Sequence, residues 1–272
     1  MGKLPVAAQI YTVRGEAERD FLSVVKEIKE IGYDGVELAG LYHYTASEIK
    51  AMLSEAGLKP ISAHVPLQEW ISDTDGTADT YKGIGCEYVA VPYLPDEWRP
   101  GTPKFPETLE WIRKIGRACN ERGMRLMYHN HDFEFITLPS GRYGLDEIYA
   151  EIPEELLQTE IDTCWVKVSG VEPAGYIRKY AGRSPVVHLK DYVGQKSGNM
   201  YNLIGLKPNE KTDSTAFQFR AVGDGCQDWK SILQACLDAG SKWVVVEQDE
   251  HYSYTPMEDM RRSLGYLRSL GW

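Results

Sequence analysis

The sequence predicts an α/β chain folded as a single (β/α)8 barrel of the TIM type, a closed, parallel, eight-stranded sheet ringed by helices. Three observations carry that expectation. Short apolar runs alternate with helical periodicities eight times, the rhythm of a parallel sheet with right-handed crossovers. Eight units in 272 residues suit a barrel better than an open doubly wound sheet, and no GxGxxG follows the first run. Finally, His, Asp and Glu collect where the last four runs end, and barrels of this kind carry their functional groups at the C-terminal ends of strands. No linker divides the chain, so one domain is expected over residues 1–272.

In order along the chain, Val6 to Tyr11 reads as a first buried strand. Phe21, Leu22, Val24, Val25, Ile28 and Ile31 then recur at helical spacing, and Gly32 ends that helix. Gly35–Leu38 is a second strand, followed by a helix with a capping box, Thr45 and Glu48, that stops at Gly57. Pro60–Val65 is a third strand. The turn Asp73-Thr74-Asp75-Gly76 interrupts the next stretch, which leaves a helix between Thr77 and Ile84. Strand four is Glu87–Val91, and a Pro-rich loop leads to a helix from Pro106 to Arg122, closed by Gly123.

The alternation continues with strands at Arg125–His129, Gln158–Ile161, Val186–Leu189 and Trp243–Glu247. Helices are expected at Leu145–Ala150, Pro173–Tyr180 and Asp228–Ala239, and a last one opens with Thr255-Pro256 and Glu258. Residues 192–226 read as a long polar loop insertion, a length usually reserved for functional covers or disorder.

Composition narrows the function. Forty acidic against thirty basic residues give a net charge of −10, which argues against a nucleic-acid surface. The five cysteines form no CxxC, so neither a zinc ribbon nor a thioredoxin-like motif is expected. Scattered free thiols point to a cytoplasmic protein. Residues 1–5 lack a signal-peptide core, and no run is long and apolar enough to span a membrane.

The four strand-end clusters are His129-Asn130-His131-Asp132-Phe133-Glu134, Glu160-Ile161-Asp162-Thr163, His188-Leu189-Lys190-Asp191 and Glu247-Gln248-Asp249-Glu250-His251. Carboxylates and imidazoles without thiolates suit a hard-to-borderline divalent cation, so one shared site is expected. The plainer readings are that Asp132 and Asp191 cap the turns after their strands, that His64 is a hydrogen-bonded structural residue, and that Asp249, Glu250 and His251 are solvated.

At these residues the chain resembles the xylose isomerase-like superfamily of sugar isomerases and epimerases. The resemblance implies Asp162 as a metal ligand on the sixth strand, His188 as a ligand and Lys190 beside the substrate on the seventh, and Glu247 as ligand and catalytic base on the eighth. It also implies substrate contacts from Glu37 and His64. The fifth strand departs from the epimerase pattern, which carries a Glu there, and is closer to the His-rich strand of the inosose dehydratase branch. Either His129 or His131 stands in for that Glu, or Glu134 reaches back to the metal. A second carboxylate better neutralises the ion, which favours Glu134. The expected metal set is thus Glu134, Asp162, His188 and Glu247, with His129 contacting substrate.

Such a site, holding one divalent ion (Mn, Mg, Zn or similar), suits proton abstraction beside a ketose carbonyl through a metal-stabilised enediolate. The leading expectation is a sugar isomerase or epimerase. The alternative is a dehydratase or lyase on a keto-inositol or 3-keto-sugar, with His129 or His131 protonating the leaving group. Trp165 or Trp70 is expected to wall the sugar. A multi-zinc apurinic endonuclease on the same barrel would need more ligands than six histidines supply and a basic DNA-facing surface. A barrel that binds sugar without turnover is the non-enzymatic alternative, and a homodimer is compatible with everything above. No phosphate cradle is evident, which favours a non-phosphorylated carbohydrate.

Overall fold

The computed structural model describes residues 2–196 and 217–272. Among the described residues ten strands form in chain order: β1 Val6–Gln9, β2 Gly35–Ala39, β3 Lys59–His64, β4 Tyr88–Val91, β5 Arg125–His129, β6 Gln158–Asp162, β7 Val186–Leu189, β8 Asp191–Gly194, β9 Phe217–Arg220 and β10 Trp243–Val246. Eight of them close into a barrel in the order β1-β10-β7-β6-β5-β4-β3-β2, and all eight neighbour pairs are parallel. The eight-stranded barrel is as the sequence predicts.

Two layers fill the interior. Near the strand starts, Ala7, Ile61, Tyr88, Ala90, Met127, Val186, Trp243 and Val245 form a small apolar cluster. Side chains two residues further along a strand share its face, so the same alternation aims Gln9, His129, His188 and Glu247 inward one layer higher. Outward-facing residues such as Val36, Val89, Leu126, Ile161, Val187 and Val244 join the main core beneath the helices. The barrel thus has an apolar lower half and a polar upper half.

Differences from the sequence reading are local. The first strand stops at Gln9, because Ile10–Val13 turns into a 3-10 helix whose first turn is capped by the Gln9 side chain. The Asp73 segment is a helix start rather than an interruption: Asp73 caps the helix Thr74–Ile84 by accepting from Gly76 N, and a short helix Leu67–Ser72 precedes it. A further helix, Thr163–Val168, follows β6 directly. The insertion is not loop throughout, since β8 and β9 pair antiparallel at its two ends. Tyr192, Phe217 and Phe219 from that hairpin pack on Cys164 and Trp165. Residues 197–216, the middle of the insertion, lie outside the described residues.

Candidate metal centre and cavity

The site begins with Asp162. Its Oδ1 accepts from Cys164 N at 2.8 Å and Trp165 N at 3.1 Å, capping the helix after β6. That fixes the carboxylate and leaves Oδ2 facing inward, 3.0 Å from Lys190 Nζ and 3.7 Å from His129 Nε2. The register pairs Asp162 with His188 and His129 with Glu160, so neighbouring strands deliver their polar residues at one height. His188 bridges two carboxylates, with Nδ1 2.9 Å from Glu247 and Nε2 2.7 Å from Glu37. Lys190, 1% exposed, sits between Asp162, Glu247 and Asp249 at 3.0, 2.8 and 3.1 Å.

A second set of contacts lies beside this one. His64 Nε2 is 2.7 Å from Glu160 Oε2 and 3.1 Å from Glu37, and His129 Nδ1 is 3.2 Å from the same Glu160 oxygen. Gln9 donates to Glu37 at 2.6 Å. The His64 and His188 rings stack at 5.2 Å. Within the described residues two groups bring ligand-type atoms within 4.8 Å of one another: His129, Asp162, His188 and Glu247, and His64, His129, Glu160 and His188.

Charge in this buried interior is tightly arranged. Burial works against the Lys190 ammonium, yet Asp162, Asp249 and Glu247 outweigh it and hold the group charged. Burial likewise opposes charge on His188, but Glu37, Glu160 and Glu247 raise it well above the ordinary range. His64 is lifted to about 10, its burial overcome by Glu37 and Glu160. His129 and His131 go the other way: burial, reinforced by neighbouring positive charge, keeps both neutral. Burial pushes Asp249 up to about 6 against the pull of Lys190. Glu247 falls below the carboxylate range, because Lys190 and His188 overcome its burial.

The first group fits a divalent cation by donor chemistry, two imidazoles and two carboxylates, all buried. Glu37 Oε2 and Glu160 Oε1 are in addition buried without a hydrogen-bond partner among the described residues. Such unmet acceptors are costly in a protein interior and mark a place where positive charge is in short supply.

Of the expected ligands, Asp162, His188 and Glu247 converge; Glu134 does not join them. Its carboxyl accepts from the Tyr128 hydroxyl at 2.6 Å and from His131 N at 2.9 Å, and burial raises it to about 8. His129 stands in the fourth position. Glu160, in the sixth-strand cluster but without a role expected of it, belongs to the site, since its place two residues before Asp162 on one strand puts both on the same face. Asp249, expected in solvent, is 3% exposed. Asp191 is a structural cap as the plainer reading has it, accepting from four backbone N–H groups and the Trp229 indole.

Above this floor lies a cavity of about 430 Å³. His64, His129, His131, Lys190, Glu247 and Asp249 reach it, while Glu37 and Asp162 lie beneath. Trp165 and Trp70 do not line it: both are fully buried, Trp165 behind His131 at 5.1 Å between ring centres and Trp70 in the main core.

A family model described as xylose isomerase-like TIM barrel matches residues 25–270. An inosose dehydratase of Geobacillus kaustophilus (strain HTA426) is 23% identical over 267 residues, spanning 86% of this chain and 83% of that protein. A crystal structure of a sugar phosphate isomerase/epimerase from Parabacteroides distasonis ATCC 8503 superposes with a TM-score of 0.79 at 18% identity, covering 99% of this chain and 95% of that one. The structure of an IOLI protein with a bound zinc atom superposes with a TM-score of 0.71 at 16% identity, covering 98% of both chains. Likeness to solved structures at these identities establishes the shared fold.

Proposed function

The chain belongs to the xylose isomerase-like TIM-barrel family, and from that premise we propose that it is a divalent-metal-dependent lyase that removes water from a keto-polyol or keto-sugar. One observation carries the choice of elimination: the cavity floor places unlike proton carriers across from one another. Glu247 and Asp249 come from the segment immediately after β10. β4 stands across the closed sheet from β10, and the flanking strands β3 and β5 deliver His64, His129 and His131. Epimerisation by two bases asks for a second carboxylate on that far wall, and imidazoles occupy it instead. The printed name of the Geobacillus relative, inosose dehydratase, points the same way.

A cation held by His129, Asp162, His188 and Glu247 supplies Lewis-acid polarisation of a ketone oxygen when bound. The protein's own groups do the rest. Asp249, its carboxyl raised to about 6, is the group best matched to take the proton beside the carbonyl near neutral pH. Lys190, fixed by three carboxylates, holds both acidic residues on one side. The acid role expected of His131 passes to His64, since burial keeps His131 neutral while His64 carries a proton it can give to the departing hydroxyl. In the balanced step a C–H and a C–O bond break, a C=C bond forms next to the carbonyl, and water leaves.

A second reading is aldose–ketose isomerisation, favoured by the placement of two carboxylates about one lysine, an arrangement that can return a proton on the face from which it came. Incubation of manganese-loaded protein with keto-inositols and 3-keto-sugars in deuterated water separates the two. Elimination gives an enone lighter by one water; isomerisation gives a deuterated product of unchanged skeleton. Deuterium incorporation without loss of water would overturn the lyase reading.

A further inference from the structure

The cavity is chemically divided. Its imidazoles, Lys190, Glu247 and Asp249 lie on the floor, whereas the ends of β2, β3 and β4 and the segments that follow them contribute Ala39, Pro66, Leu67, Pro92, Tyr93 and Pro95. Five of these six side chains carry no donor or acceptor, and proline lacks even the backbone N–H; the sixth, Tyr93, accepts from Arg99 through its hydroxyl. Gln68 and Glu69 are the polar groups on that side. Lys190 is the one Lys or Arg among the lining residues described, and three carboxylates already neutralise it.

A phosphorylated tail would meet no Lys or Arg among the described lining residues of this wall, and Glu69 would repel it. A second sugar would set its hydroxyls against proline and leucine surface, losing hydrogen bonds to water without replacement. A flat, uncharged ring suffers neither cost, since proline and tyrosine faces offer it apolar contact. We propose that the natural substrate is a keto-sugar or keto-polyol carrying an aromatic substituent, with the polyol end on the floor and the ring against Pro66, Leu67, Pro92 and Tyr93. The proposal rests on the proposed function for the keto-polyol end and its place on the floor, and on the cavity wall alone for the aromatic substituent.

Isothermal titration of manganese-loaded protein with phenyl β-glucoside, methyl β-glucoside and glucose 6-phosphate tests it without turnover. Burial of a phenyl ring on this wall predicts that the phenyl compound binds about tenfold tighter than the methyl one or better, with glucose 6-phosphate weaker than both. Leu67→Asn, checked by thermal melting, is expected to erase the phenyl preference and leave methyl glucoside affinity in place. Equal affinity of the two glucosides, no binding of the phenyl compound, or tightest binding of the phosphate would overturn the proposal, and the wild-type comparison stands even if the variant misfolds. A phenyl preference in a protein that dehydrates no keto-sugar would sink the lyase reading and leave this inference standing. Dehydration of a bare keto-inositol with no phenyl preference would do the reverse.

Discussion

Lys190→Met takes away the one ammonium on the site floor while keeping the length and apolar stem of the side chain. In the wild type its Nζ lies 3.0, 2.8 and 3.1 Å from Asp162, Glu247 and Asp249, and the residue is 1% exposed. Without it, three buried carboxylates face one another with only the imidazolium groups of His188 and His64 to offset them among the described residues. Removing one partner of a buried ion pair costs about 3–5 kcal/mol, so the metal-free variant should lose roughly that much. At about 2–4 °C per kcal/mol for a large domain, the melting temperature falls on the order of 10 °C. The assay is thermal melting in EDTA at a pH well above the wild-type Asp249 range of about 6, because losing Lys190 lifts that carboxyl further and protonation would otherwise relieve the repulsion. Manganese should then recover much of the deficit, because a cation held by Asp162 and Glu247 replaces the missing charge. A variant that melts within about a degree of the wild type in EDTA would refute the reasoning, and so would a deficit that manganese leaves untouched.

Three further predictions follow from other parts of the molecule. Glu134 titrates near 4.5 when unfolded and near 8 when folded, so the unfolded chain ionises first and the fold loses stability as pH rises from about 4.5 to about 8. Glu134→Gln should flatten that slope by an amount on the order of a few kcal/mol, read by urea titration across the range; an unchanged slope would contradict the burial argument. Asp191→Ala orphans four backbone N–H groups and the Trp229 indole N–H, and a loss of roughly 3 kcal/mol or more is expected in the same assay. Gly116→Ala places a Cβ 2.3 Å from the Leu156 carbonyl oxygen, so the helix Phe105–Glu121 must shift. A destabilisation of about 1–3 kcal/mol is expected despite the gain in helix propensity.

The barrel was legible because its strands are buried on both faces and read as near-continuous apolar runs. The chemistry was legible where those runs end: Asp162, His188 and Glu247 each terminate or nearly terminate a strand. Gln9 is hard to see because it sits inside an apolar run, where a polar residue resembles an interruption, and Glu160 because it shares its cluster with Asp162, which ends the strand. Only the period of two, which sets Glu160 on the face of Asp162, marks it as inward. The preference for Glu134 rested on charge balance, and that balance is met instead by Glu37, Glu160 and Asp249, which arrive from three other segments of the chain. The hairpin of β8 and β9 was hidden in the polar insertion 192–226, although Phe217 and Phe219 alternate with Gln218 and Arg220 as a half-buried strand requires. Asp73 reads equally as a turn or a helix cap in sequence; its acceptance from Gly76 N settles it as a cap.

Metal content by elemental analysis of the wild type, His129→Ala and Glu134→Gln tests the central claim most directly. With the ion held by His129, Asp162, His188 and Glu247, the wild type and Glu134→Gln should each retain one equivalent of divalent metal after dialysis against manganese, and His129→Ala should retain little. Retention by His129→Ala together with loss from Glu134→Gln would contradict the account and return the fourth ligand to Glu134.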